Sequence, residues 1–281
     1  MVTPLSLHSL HLIFLLGILQ PSLLFLSLFY LPQRAASSSS TLTSTTESIS
    51  IFSRGFHAIA LLYDNPDSLP PSALLDAVLP SAAIAIFITQ AYITRALGKW
   101  INTEQRRYSS ESTGSGSLEQ LAMTILTLPL STTIFLAILT GLLGAPIPFT
   151  TTSTGTTETT STLALSFHLA ILLALVPAHV LGADLAQWDV VFLPAALSSS
   201  TNDDKKRKGR EAWHAVVFYP VVGALAGGLL SGFGLALDWG RPWQAWPLPP
   251  LVGSSAGLIL GNWLGIRAWS KAAWSARVAS G

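Results

Sequence analysis

The chain has 281 residues, half of them hydrophobic and only 10% charged, with a formal net charge of +1 and no cysteine. Soluble domains carry about a quarter charged residues, so the composition argues against a water-soluble globular class, and the missing cysteine excludes disulfides and thiolate ligands. The net charge identifies no partner, because the charges are segregated along the chain.

Residues 5–31 form the first apolar stretch, past the roughly 18 residues that mark a transmembrane candidate. Pro21 lies inside it and no Lys or Arg precedes it. A secretory signal has a basic start, a shorter apolar core and a small-residue cleavage site. A retained first helix is therefore expected, with a cleaved signal as the alternative. Residues 33–50 are rich in Ser and Thr and read as a flexible loop. Residues 51–63 are apolar but too short to span and contain Arg54 and His57; they lie on the surface, belong to the loop, or insert. Residues 64–71 carry turn chemistry.

The second span is expected over 72–97, with Asp76 and Pro80 near its start and Arg95 placed to snorkel near its end. A polar loop follows over 99–117. The third span covers 118–143, with a bend at Pro129 and an end at Gly144-Ala145-Pro146. Residues 150–161 form a second Ser/Thr-rich loop. The fourth span covers 162–181, with Pro177 able to kink it. Residues 182–197 mix Asp184, Trp188 and Asp189 with apolar neighbours and read as an interfacial segment. Residues 203–210 hold Lys205, Lys206, Arg207, Lys208 and Arg210; in a chain with this many spans such a run sets topology rather than binding nucleic acid. The fifth span covers 213–237 and the sixth 248–269. The reading is an all-α polytopic integral membrane protein of about six transmembrane helices, forming a single membrane domain over 1–281.

The last two spans are patterned in glycine. The fifth holds Gly223 and Gly227, then Gly228 and Gly232; the sixth holds Gly253, Gly257, Gly261 and Gly265, an unbroken i, i+4 series. Residues four apart share a helix face. Such a face is a groove of bare backbone that lets a second helix approach closely. Helices five and six, joined by a short connection, are the default neighbours; docking of a partner helix is the other reading.

Alternating spans put Arg95, Lys99, Arg106, Arg107, the five basic residues of 203–210, Arg267, Lys271 and Arg277 on one side. Only Arg34, Arg54 and Arg241 fall on the other. Cytoplasmic loops are enriched in Lys and Arg, so both termini are expected in the cytoplasm. The 238–247 connection then faces the lumenal or external side.

No catalytic constellation is visible. His8, His11, His57, His168, His179 and His214 show no zinc-ligand spacing. The Gly232-Phe233-Gly234 run is membrane glycine rather than a phosphate loop. Carboxylates deep in the spans are nearly absent, which disfavours an ion-coupled transporter. His168 and His179 lie on the fourth span, where an ionisable group is either a packed, hydrogen-bonded residue or a functional one.

The connection between the last two spans is the most distinctive stretch. Asp238-Trp239-Gly240-Arg241-Pro242-Trp243-Gln244-Ala245-Trp246-Pro247 holds three of the nine Trp residues. Its prolines stop a helix from running through, and Trp at such a place sits in the headgroup layer. With the Gly-rich spans on either side, this run resembles the PIG-F family. Two further stretches resemble it more weakly: Leu143-Gly144-Ala145-Pro146, and Leu181-Gly182-Ala183-Asp184-Leu185-Ala186-Gln187-Trp188 with Val191-Phe192. The likeness extends from about Leu118 to Trp269.

The resemblance implies a multi-pass protein of the endoplasmic reticulum membrane acting in glycosylphosphatidylinositol (GPI) anchor biosynthesis. It implies a non-catalytic subunit, without cofactor or metal, that binds and stabilises the large GPI ethanolamine-phosphate transferases (PIG-O-like and PIG-G-like). The alternative is a lipid-handling protein that presents phosphatidylethanolamine or the GPI precursor. In either case the expected contacts with partner or membrane lipid are Asp238, Trp239, Arg241, Pro242, Trp243, Gln244, Trp246 and Pro247. Helix packing is expected at Gly223, Gly227, Gly253, Gly257, Gly261 and Gly265. Within the connection, Arg241 either ties the turn to Asp238 while the Trp side chains anchor in the interface, or offers its planar fork to a phosphate, a carboxylate or an aromatic face.

Overall fold

A computed structural model describes residues 7–30, 71–108, 117–145, 159–192, 212–236 and 246–280. Every regular element among the described residues is helical. Helix α1, residues 7–30, alternates α and π turns: Leu7–Leu12, Ile13–Leu19, Gln20–Phe25 and Leu26–Tyr30. Pro21 falls just after the first π stretch, where the α hydrogen-bond ladder is already interrupted. Helix α2 is Pro71–Tyr108, and α3 is Ser117–Ala137 continued by π turns over Ile138–Leu142.

Helix α4 is in two pieces, Thr159–Leu173 and Leu175–Leu181. The break at Ala174 has a direct cause: Pro177 has no N–H to give to the carbonyl one turn earlier. A short helix, α5, Leu185–Phe192, follows. Helix α6 is His214–Gly232, ending in a 3-10 turn over Phe233–Ala236, and α7 is Leu248–Ser280.

Among the described residues, four stretches are long and apolar enough to cross a membrane: His8–Leu28, Gln120–Leu142, Ser161–Leu181 and His214–Leu235. They belong to α1, α3, α4 and α6. Helices α2 and α7 are longer, at 38 and 33 residues, and mix apolar turns with polar ones.

Two boundaries differ from expectation. The segment expected as a polar loop from Lys99 stays helical to Tyr108. Its polarity is one-sided: Trp100 and Ile101 are buried, and Glu104 is buried beside His8, so the inner face of α2 keeps its partners beyond the apolar span. Helix α7 likewise continues past Trp269 to Ser280. Trp269 and Ala273, four apart on one face, are both buried there. The stretches 33–50, 51–63 and 203–210 lie outside the described residues.

The core falls into two apolar clusters, one toward each end of the bundle. The first gathers Leu12 of α1, Leu97 of α2, Leu181 of α4, Trp213 just before α6 and Trp269 of α7. The second gathers Leu24, Ile86, Leu165, Ala224 and Leu251 from the opposite ends of the same helices, with Leu139 of α3. The long helices therefore alternate in direction. The connection between α6 and α7 leaves from and returns to the second end; Arg95, Lys99, Arg267 and Lys271 belong to turns at the first. Helix α3 is peripheral, with Ile125, Leu126, Leu130 and Leu142 exposed along it. Lipid tails are as apolar as these side chains, so helix association here depends on close packing and hydrogen bonds rather than on escape from water.

Candidate functional site

The α6–α7 hairpin is the most closely packed pair in the bundle. The glycines of α7 meet α6 in antiparallel register: Gly265 opposes Ala215, Gly261 opposes Tyr219 and Pro220, Gly257 opposes Gly223, and Gly253 opposes Gly227 and Ser231. The carbonyl of Gly223 occupies the place a side chain on Gly257 would take, and the carbonyl of Gly257 does the same for Gly223. A Cβ on Gly261 would lie 2.7 Å from the Pro220 Cα, and one on Gly227 would lie 3.0 Å from the Gly257 Cα. These are backbone atoms, which cannot swing aside as a side-chain tip does. The series loses helix propensity at each glycine and gains contact between two main chains, the small-residue packing by which helices associate in lipid. Gly228 sits at the edge of the seam against Ser254, and a Cβ on Gly232 would meet nothing within 4 Å. The groove of α7 is thus occupied by α6.

Of the residues in the distinctive connection, Trp246 and Pro247 are described; Asp238, Trp239, Arg241, Pro242, Trp243 and Gln244 lie outside the described residues. The Trp246 indole N–H donates to Oγ1 of Thr162 at 3.0 Å, and its ring packs against the second core cluster. Thr162 is fully buried at the start of α4. Pro247 is buried, and its carbonyl accepts the Leu251 N–H at 3.1 Å, opening the first turn of α7. The connection thus returns to the bundle through a Trp tied to α4.

The segment after α4 is held by its own residues. Gly182 ends α4 at φ 59° and ψ −143°, a conformation open essentially to glycine alone. The Trp188 indole N–H folds back to the Gly182 carbonyl at 3.0 Å, and the Gln187 amide donates to the Asp184 carboxylate at 3.1 Å. Gly144, at φ 68°, closes α3, with the Ala145 N–H on the Leu139 carbonyl at 2.9 Å.

Both span histidines join helices. His168, buried in α4, shares a hydrogen bond of 3.0 Å with the Ser255 hydroxyl of α7. His179 shares one of 3.1 Å with the Thr124 hydroxyl of α3 and lies over Gly98 of α2, where an added Cβ would come within 2.9 Å of its ring. Among the described residues no three His, Cys, Asp or Glu side chains converge.

Sequence reasoning missed a second joint, between α1, α2 and α7. Gln20, Gln90 and Asn262 are 2%, 1% and 1% exposed. The Gln20 amide donates to Gln90 Oε1 at 2.8 Å, and the Asn262 amide donates to Gln20 Oε1 at 2.8 Å. Nearer the first end of the bundle, His8 pairs with Glu104 at 3.0 Å and stacks on Trp100 at 4.9 Å, while Trp100 meets Trp269 edge-on at 5.2 Å. The Trp100 indole also donates to the His8 carbonyl at 3.0 Å. The available signal was three side-chain amides inside apolar spans, where a polar group needs a partner on another helix.

These features define a class: a helical membrane protein built from apolar helices, closed by a glycine-packed hairpin. Residues 55–266, more than half of the chain, match the GPI biosynthesis protein family Pig-F. The chain belongs to that family. It is 33% identical over 98 residues to the glycosylphosphatidylinositol anchor biosynthesis protein 11 of Neurospora crassa, covering 35% of this chain and 30% of that protein. It is 31% identical over 150 residues to the protein of the same name from Aspergillus fumigatus, covering 53% and 42%. It is 28% identical over 82 residues to the GPI ethanolamine phosphate transferase, stabilizing subunit of Mus musculus, covering 29% and 32%. The chain thus spans less than half the length of these curated relatives. No solved structure matches it.

Proposed function

We propose that this chain is a non-catalytic membrane subunit that binds and stabilises a GPI ethanolamine-phosphate transferase of the PIG-O-like or PIG-G-like kind, in the membrane of the endoplasmic reticulum. The observation that carries the reading is the family match over 55–266, with a mouse relative named as the stabilizing subunit of that transferase. The chemistry of the bundle supports it. Several of the buried polar groups that are described, Gln20, Gln90, His168 and Asn262 among them, join helices, as in a scaffold.

In this reading all six long helices cross the membrane, α2 and α7 included, with both termini cytoplasmic and the 238–247 connection lumenal. The charge distribution supports that orientation. A glycosylation acceptor inserted at 150–160 is then modified and one at 201–209 is not; the reverse pattern overturns the orientation. Asp238, Arg241 and the Trp residues of the connection are the proposed contact with the transferase or a lipid phosphate.

The test is complementation of cells lacking the chain. The wild type restores transferase abundance and ethanolamine-phosphate addition to GPI. Arg241→Lys and Trp243→Ala insert normally and restore less, because Lys replaces neither the planar fork nor the stacking surface of Arg. Full complementation by both variants leaves the connection as a membrane anchor only.

A further inference from the structure

The first end of the bundle carries an open groove of about 580 Å³ between α1 and α2, lined by His8, His11, Tyr92, Arg95, Lys99 and Trp100. We infer that this groove is a binding site for the headgroup of a phospholipid with net negative charge.

The lining is chemically one-sided. Arg95 and Lys99 are one helical turn apart on α2 and exposed, so both cations present to the same side. Glu104, one turn beyond Trp100 on α2, is 3% exposed and already engaged with His8. Its carboxylate faces the His8 ring and is not among the residues that line the groove. Among the described residues the groove's lining therefore offers two cations and the His11 ring to an anion, and no carboxylate to the ammonium of a zwitterionic headgroup. Trp100 lines the groove and is packed between His8 and Trp269. Arg presents a fork suited to phosphate oxygens and Lys a point charge.

The surface leading away from the groove suits acyl chains. Ile84, Ile88 and Tyr92 recur every four residues on α2 and are 61%, 63% and 60% exposed. They form an apolar track that runs along the helix to the groove, with the Tyr at its top, the level at which Tyr anchors in membrane interfaces. On α1, Phe14 and Ile18 are exposed beyond His11. A soluble phosphate would use the cations and leave this track idle; a phospholipid uses both.

The test uses the full purified chain in phosphatidylcholine nanodiscs, titrated with phosphatidylglycerol, which is anionic and has no ammonium. Binding is read by native mass spectrometry as lipid retained per chain. Retention of phosphatidylglycerol over phosphatidylethanolamine is expected, weakened about thirtyfold in Arg95→Gln/Lys99→Gln and about fivefold in Lys99→Gln alone, the effect of removing two or one basic residues facing an anionic headgroup. Arg267→Gln, an exposed cation outside the groove, retains the lipid as the wild type does. Should the double variant fail to fold, the single one carries the test. Equal retention in wild type and Lys99→Gln, an equal loss in Arg267→Gln, or equal retention of phosphatidylethanolamine overturns the site. Displacement of phosphatidylglycerol by glycerophosphoglycerol, its headgroup without acyl chains, overturns the lipid assignment in favour of a soluble phosphate ester.

Discussion

Helix α7 is held on two faces by different means. Toward α6 it presents Gly253, Gly257, Gly261 and Gly265 and packs main chain against main chain. Toward α1 and α2 it presents Asn262 and Trp269, which join a hydrogen-bonded amide triad and an aromatic stack. The first joint works by leaving side chains out, the second by burying amides that hydrogen-bond one another across helices. Both answer the same problem, that apolar burial alone gives little drive for association between helices in lipid. They differ in how they fail. A glycine seam has no room for any side chain, whereas an amide joint tolerates apolar replacements if all its members change together.

The sharpest way to break the contrast is at the seam. Gly257→Leu and Gly261→Leu push branched side chains into the backbones of Gly223 and Pro220. Overpacking in a close-packed interior costs about 1–3 kcal/mol and sometimes more, and these sites can relax only by separating the hairpin. Both variants are expected to lower the thermal stability of the purified chain and its level in cells. A chain that stays at its normal level while losing only a partner would instead make the groove a partner's seat.

The amide joint gives a smaller effect with a distinctive pattern. Asn262→Leu leaves Gln20 and Gln90 without one member of their network, at a cost of about 1–2 kcal/mol in line with interhelical hydrogen bonds in membranes. The triple change Gln20→Leu, Gln90→Leu and Asn262→Leu is expected to lie closer to wild type than Asn262→Leu alone, because no orphaned amide remains. Thermal unfolding in one detergent ranks the variants; strictly additive losses would contradict the network.

The contrast also explains what was legible in the sequence. The glycine positions announced themselves by period, since Gly253, Gly257, Gly261 and Gly265 repeat at one helical turn within a single helix. The apolar runs likewise pointed to the long helices, although α2 and α7 continue past their apolar stretches to Tyr108 and Ser280. The amide triad could not be read that way: Gln20, Gln90 and Asn262 are 70 and 242 positions apart, and no period within a helix connects them. Nor did composition reveal that α2 continues to Tyr108, because Glu104 is a charged residue whose burial depends on His8 far away in sequence. The Trp246 tie to Thr162 was hidden for the same reason, whereas the Trp-rich stretch itself was conspicuous by composition.

The central claim, that this chain serves as the stabilising subunit of a GPI ethanolamine-phosphate transferase, is tested most directly by affinity purification of the tagged full chain from its own cells in mild detergent. The account predicts that a large GPI ethanolamine-phosphate transferase comes with it in equal amount, and that transferase abundance falls when the chain is removed. Recovery of the intact chain without any transferase, together with unchanged transferase abundance in its absence, would contradict it.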